Sequence, residues 1–153
     1  MRLLIVDDHD LFRTGLRTLL EDEGLDVRDA ANGRAGVATC RWFSPDVVVM
    51  DMNMPEMSGV EATRLVLQEC PQAAVLMLTV NVEDEGIIDA VRAGASGYLL
   101  KDARLAEILA GIRAAADGQA VVAPRAAGAL IASVAVPRLR PRGAGALAGA
   151  LPA

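Results

Sequence analysis

Short runs of branched aliphatic residues alternate with longer stretches of helical periodicity along most of this chain, and that alternation allows few folds. Apolar runs of four to six residues followed by amphipathic helices describe parallel strands joined by crossover helices. The runs predict strands over 2–6, 26–31, 46–50, 74–79 and 97–100. Between them helices are predicted over 9–22, 34–43, 58–69, 84–93 and 103–116. Leu11, Phe12, Leu16, Leu19 and Leu20 give the first helix its apolar stripe, and Gly24 marks its stop. The segments 46–50 and 74–79 are nearly all apolar, as strands covered on both faces require. By contrast Asp26-Val27-Arg28-Asp29-Ala30 alternates, which predicts an edge strand. Five βα units with right-handed crossovers give an α/β fold, a doubly wound five-stranded parallel sheet in the order 2-1-3-4-5 with helices on both faces.

Composition narrows what such a domain can do. Aromatics make up 3% of the chain and hydrophobic residues 53%, so the core must be aliphatic. No apolar run approaches the roughly 20 residues that span a bilayer. The first residues run as a strand into Asp7-Asp8 and do not resemble a signal peptide, so a cytoplasmic protein with no membrane partner is expected. Cys40 and Cys70 lack metal-ligand spacing and read as buried helix residues. Residues 1–117 hold 11 Lys and Arg against 20 Asp and Glu, a net −9 that repels nucleic-acid backbones. Residues 118–153 hold four arginines and no acid. The expected organisation is one domain over 1–120, a linker segment over 121–136 with a short extended stretch at 120–124 and helical spacing from Arg125 to Val134, and a disordered tail over 137–153.

Several polar side chains stand where these strands end. Asp51 follows Val47-Val48-Val49-Met50, Asp7-Asp8 follow Leu3-Leu4-Ile5-Val6, and later strands deliver Thr79 and Lys101. In the order 2-1-3-4-5 the first and third strands are neighbours at the topological switch point, where parallel α/β proteins hold their ligands. Three converging carboxylates repel one another without a cation, so the cluster predicts a hard divalent ion, Mg²⁺ or Mn²⁺. Asp51 is the expected nucleophile toward phosphorus, with Asp7, Asp8, Asp51 and a backbone carbonyl around the ion. Lys101 supplies a positive charge able to pair with Asp51 or a transferred phosphoryl group, and Thr79 a hydroxyl able to sense that group. His9, the sole histidine, reads as a capping or rim residue at a helix start.

Taken in order, Val6-Asp7-Asp8-His9, Val49-Met50-Asp51-Met52-Asn53-Met54-Pro55, Leu78-Thr79 and Gly97-Tyr98-Leu99-Leu100-Lys101-Asp102 resemble the receiver domain of two-component response regulators. The stretches Asp8 to Leu16 and Gly94 to Asp102 are similar to its NarL/FixJ (LuxR-type) subfamily. The resemblance covers residues 1 to about 120 and implies a flavodoxin-like fold. It implies that Asp51 accepts a phosphoryl group from a phosphohistidine on a sensor histidine kinase, without the chain being an enzyme beyond assisting its own phosphorylation and dephosphorylation. It further implies Mg²⁺ on Asp7, Asp8, Asp51 and the backbone carbonyl of Asn53, phosphoryl contacts from Thr79 and Lys101, and a switch pair of Thr79 and Tyr98. A phosphorylation-dependent homodimer through the face near 84–112 and control of transcription are further expectations.

Members of that subfamily continue into a DNA-reading helix-turn-helix, and nothing after Val136 has the pattern of one. No DNA-binding residue is therefore assigned, and both a truncated regulator and a single-domain regulator acting through protein contacts stay open. A phosphatase of the haloacid-dehalogenase type also uses a strand-end aspartate, but needs an acid two residues later, where this chain has Asn53. A flavin carrier would need a hydroxyl- and glycine-rich phosphate loop after the first strand, where Asp7-Asp8 would repel the phosphate.

Overall fold

The computed structural model describes residues 1–80 and 84–122. Its elements, in chain order, are β1 (Arg2–Val6), α1 (Asp10–Asp22), β2 (Asp26–Ala30), α2 (Gly33–Phe43), β3 (Val47–Asp51), α3 (Gly59–Glu69), β4 (Ala74–Thr79), α4 (Asp84–Ala93), β5 (Gly97–Leu100), α5 (Leu105–Ala116) and β6 (Val121–Val122). All neighbouring strands are parallel, in the order β2-β1-β3-β4-β5-β6. The predicted order of the first five strands is the observed one. The sheet has six strands instead of five, however, because Val121 and Val122 pair with Gly97 and Tyr98 on the far edge. Two residues are enough to cover β5 but too few to carry a periodic signature. The expected linker therefore begins inside the sheet, while its helical stretch and the tail over 137–153 lie outside the described residues.

Burial explains the strand patterns. Every residue of β3 and β4 is buried, since helices cover both faces. The alternating β2 lies at the edge, as its pattern required. Contacts run from α2 to α3 and from α3 to α4, whereas α1 and α5 share a recess lined by Leu16, Leu19, Leu105 and Ile108. The core between these layers is aliphatic, with Leu3, Leu4, Ile5, Leu76, Met77 and Ile112 fully enclosed. Helix starts are fixed locally. Asn32 accepts from the Ala35 amide at 2.8 Å to cap α2, and Ser58 accepts from the Glu61 amide at 3.2 Å to cap α3. Gly24 closes α1 at φ +88°, a conformation that L side chains adopt only under strain.

Both cysteines are buried, and the Cys70 thiol donates to the Cys40 carbonyl at 3.3 Å. Burial pushes the Cys40 thiol up to about 12, so it stays protonated and unreactive near neutrality. None of the described helices is long and apolar enough to cross a membrane.

Candidate functional site

Register alone brings the strand ends together. Val6 aligns with Met50, Asp51 with Leu78, and Thr79 with Leu100, so Asp7, Asp51, Thr79 and Lys101 all emerge at one end of the sheet. The ladder continues briefly past the strands: the Asp7 amide donates to the Ala30 carbonyl, Met52 to Leu78 and Lys101 to Thr79. These bonds carry the rigidity of the sheet into the residues that follow it.

Asp51 and Asp7 are almost wholly enclosed, at 3% and 2% exposure. Lys101 Nζ sits between them, 2.8 Å from Asp7 Oδ2 and 3.2 Å from Asp51 Oδ1, and its ammonium lies 4.9 Å above the centre of the Phe12 ring. The Asn53 amide turns back toward Asp51 Oδ1 at 3.4 Å. Two buried carboxylate oxygens, Asp8 Oδ1 and Asp51 Oδ2, receive no hydrogen bond among the described residues. Buried carboxylate oxygens without a donor are costly and call for a cation. Asp7, Asp8, His9 and Asp51 can each contribute one ligand atom, all within 4.8 Å of one another. Oxygen donors of this kind fit Mg²⁺ or Mn²⁺.

The predicted residues thus divide by what the structure does with them. Asp7, Asp8, Asp51 and Lys101 meet directly. Thr79 is buried at the same end, and Tyr98 lies inside β5 at 1% exposure, three residues before Lys101. Its ring is thus packed inward in this structure. Arg13 has no place in the sequence-based site, and His9 does more than its capping or rim position implies. Arg13 donates from its guanidinium to the Asp7 carbonyl at 2.7 Å and also binds Asp10 and Asp29, tying the β1–α1 turn to β2. Its only sequence signal was an ordinary i,i+3 pair with Asp10. His9 occupies the N-cap position of α1, yet its side chain makes no capping bond. It is turned instead toward the carboxylates, 3.1 Å from Asp7 Oδ1.

Charging Asp51 is unfavourable in this setting. Burial pushes its carboxyl up to about 7, Asp7's charge adds to the effect, and the facing Asp8 carboxyl can share only a proton with it; Lys101 opposes all three. An acid whose folded pKa is raised stabilises the fold only while protonated. Stability of the metal-free protein should therefore fall as pH rises from about 4 to about 7, by at most about 4 kcal/mol. Chemical denaturation in chelator at about pH 5 and about pH 8 measures this slope. Asp51→Asn should flatten it, and an unchanged slope in that variant would assign the effect to other groups.

A doubly wound parallel sheet with a buried acidic pocket and a lysine at its carboxyl end is the frame of a signalling receiver domain. The comparisons agree: residues 3–113 match the family model for the response regulator receiver domain, and the chain belongs to that family. Response regulator GacA of Pseudomonas viridiflava is 43% identical over 129 residues, 83% of this chain and 60% of that protein. The chain thus spans about six tenths of the length of this curated relative. A two-component response regulator of the LuxR family from Aurantimonas sp. superposes with a TM-score of 0.79 at 35% identity, covering 85% of this chain and 94% of the other. A response regulator from Burkholderia pseudomallei, solved with a phosphorylated aspartic acid, a calcium ion and citrate, superposes at 0.70 with 28% identity. That match covers 76% of this chain and 68% of its own.

Proposed function

We propose that this chain accepts a phosphoryl group on Asp51 from a phosphohistidine of a sensor histidine kinase and changes conformation and association in response. One observation carries the reading: Asp51 is enclosed at the end of β3, clamped through Oδ1 by Lys101, with Oδ2 receiving no hydrogen bond in a pocket of two further aspartates. A carboxylate oxygen of Asp51 attacks phosphorus in line, a new O–P bond forms, and the P–N bond to the donor imidazole breaks. Asp7, Asp8, Asp51 and the Asn53 carbonyl would hold Mg²⁺ or Mn²⁺, which when bound neutralises charge on the carboxylates and the incoming phosphoryl group. Lys101 is placed to pair with a phosphoryl oxygen, and the Thr79 hydroxyl to donate to one.

The read-out runs through Thr79 and Tyr98. Both are buried and one strand apart, so a hydroxyl drawn toward a phosphoryl group alters the space beside β5. Phosphorylation then shifts the population of existing packings near 84–112 and favours a homodimer. Beside the pocket, Leu11 and Val80 are 90% and 61% exposed, and with His9, Phe12, Lys101 and Asp102 they rim a recess of about 470 Å³. Such an apolar rim suits a kinase helix that must bring its phosphohistidine to Asp51. A cytoplasmic location follows from this pairing. The resemblance extends the reading to transcriptional control, but the acidic described residues include none to which DNA contact is assigned.

Intact-mass measurement after incubation with a small phosphodonor and Mg²⁺ tests the proposal. One added phosphoryl group is expected, base-labile, and absent with chelator or in Asp51→Asn. A well-folded protein that gains no mass would overturn it.

A further inference from the structure

His9 is the side chain whose placement neither its capping position nor the proposed phosphoryl transfer accounts for. Nδ1 is the ring nitrogen facing the pocket, 3.1 Å from Asp7 Oδ1, 3.4 Å from Asp8 Oδ1 and 3.7 Å from Asp51 Oδ2. Adjacent ligands on an octahedral ion with bonds of about 2.1 Å stand roughly 3 Å apart. The two shorter His9 contacts lie within a few tenths of that separation. Repositioning Nδ1 as a ligand therefore requires only a small movement of a side chain that is itself 61% exposed.

The hydrogen bonding around Nδ1 is contradictory without a cation. Lys101 Nζ, 3.1 Å away, can only donate, which asks for a lone pair on Nδ1. Asp7 Oδ1, at the same distance, can only accept when ionised, which asks for a proton there. One nitrogen cannot satisfy both. A divalent ion between Nδ1 and the carboxylates removes the conflict, because every lone pair then points at the ion. The two enclosed oxygens that no donor reaches, Asp8 Oδ1 and Asp51 Oδ2, have Nδ1 as their ion-pair neighbour.

We infer that His9 is a nitrogen ligand of this pocket and biases it from Mg²⁺ toward first-row transition ions, Co²⁺ more strongly than Mn²⁺. The chemical ground is ligand type: Mg²⁺ selects oxygen and binds imidazole poorly, whereas affinity for a nitrogen donor rises along the first-row ions from Mn²⁺ to Co²⁺ and beyond. The inference rests on the proposed carboxylate site for its other ligands and adds the donor that sets its metal preference.

His9 is the only histidine of the chain, so any imidazole nitrogen seen on a bound ion in untagged protein belongs to it. The test uses the full untagged chain, Mn²⁺ as a spectroscopic probe, and calorimetric titrations with Mg²⁺, Mn²⁺ and Co²⁺. Pulsed electron paramagnetic resonance of the Mn²⁺ form should show nitrogen coupling that disappears in His9→Ala and His9→Gln. Affinity for Co²⁺ should fall by about tenfold or more in both variants, while that for Mg²⁺ changes by less than about threefold. Thermal melts of the metal-free variants establish that they fold. Mn²⁺ binding without nitrogen coupling overturns the inference and leaves the carboxylate site standing. An equal change for all three ions does the same, and would make His9 a simple counter-charge. If the wild-type chain binds none of the ions, the proposed phosphoryl-acceptor site fails along with it.

Discussion

Gly59→Ala should destabilise the protein by about 3 kcal/mol or more and displace Asp51. Gly59 opens α3, and its amide donates to the Met52 carbonyl at 2.9 Å. A Cβ at this position would collide with the Asp51 carbonyl oxygen and stand 2.9 Å from Met52 Cα and 3.0 Å from the Asp51 carbonyl carbon. All three obstacles are backbone, so no rotamer change relieves them. Either the start of α3 retreats, loosening the Ser58 cap, or the end of β3 moves and takes the proposed nucleophile with it. Gly33→Ala is the contrasting case. There the nearest obstacle is the Met57 sulfur at 2.7 Å, the far end of a flexible side chain, and a loss below about 1 kcal/mol is expected. Urea titrations of the two variants give the comparison, and phosphoryl uptake should fall in Gly59→Ala beyond what the unfolded fraction explains. Equal and small losses would mean that the β3–α3 turn is more compliant than its contacts indicate.

That turn also shows where sequence reasoning stops. Strands were legible because burial on two faces leaves only one kind of sequence for β3 and β4, and the site was legible because polar residues at strand ends interrupt it. Asp7, Asp51 and Lys101 could be placed together from strand order alone. The contact between Gly59 and the Asp51 carbonyl has no such trace, since a glycine at a helix start reads equally as a turn signal. His9 was legible as a capping or rim residue, and its turn toward the carboxylates was not. An N-cap position predicts a side chain bonded to its own helix, and only the three-dimensional arrangement shows a stronger competing demand from the carboxylates. The extended stretch at 120–124 was legible but its place as a sixth strand was not, because pairing at a sheet edge depends on what β5 offers at Gly97 and Tyr98. Two valines carry no periodicity of their own.

Lys101→Met should cost the metal-free protein about 3–5 kcal/mol at mildly alkaline pH, the range found when one partner of a buried ion pair is removed. Methionine nearly preserves the volume of the side chain and its contact with Phe12, so the loss isolates charge. Lys101 is 8% exposed and bridges Asp7 and Asp51, each of which would be left ionised in a low-dielectric pocket with Asp8 beside them. The penalty should shrink at acid pH, because Asp51, already pushed up to about 7, can take a proton in place of the missing ammonium. It should also shrink when a divalent ion is added, since the ion supplies positive charge to the same oxygens. Denaturation of wild type and Lys101→Met with and without Mg²⁺, at acid and at alkaline pH, gives the four values required. A penalty independent of both pH and Mg²⁺ would make Lys101 a packing residue and would remove the electrostatic account of the pocket. If the penalty does follow both, stability and phosphoryl acceptance draw on one and the same balance of charge. A lysine strong enough to hold Asp7 and Asp51 together before the ion arrives must then leave enough of the repulsion in the pocket unrelieved for the ion to bind.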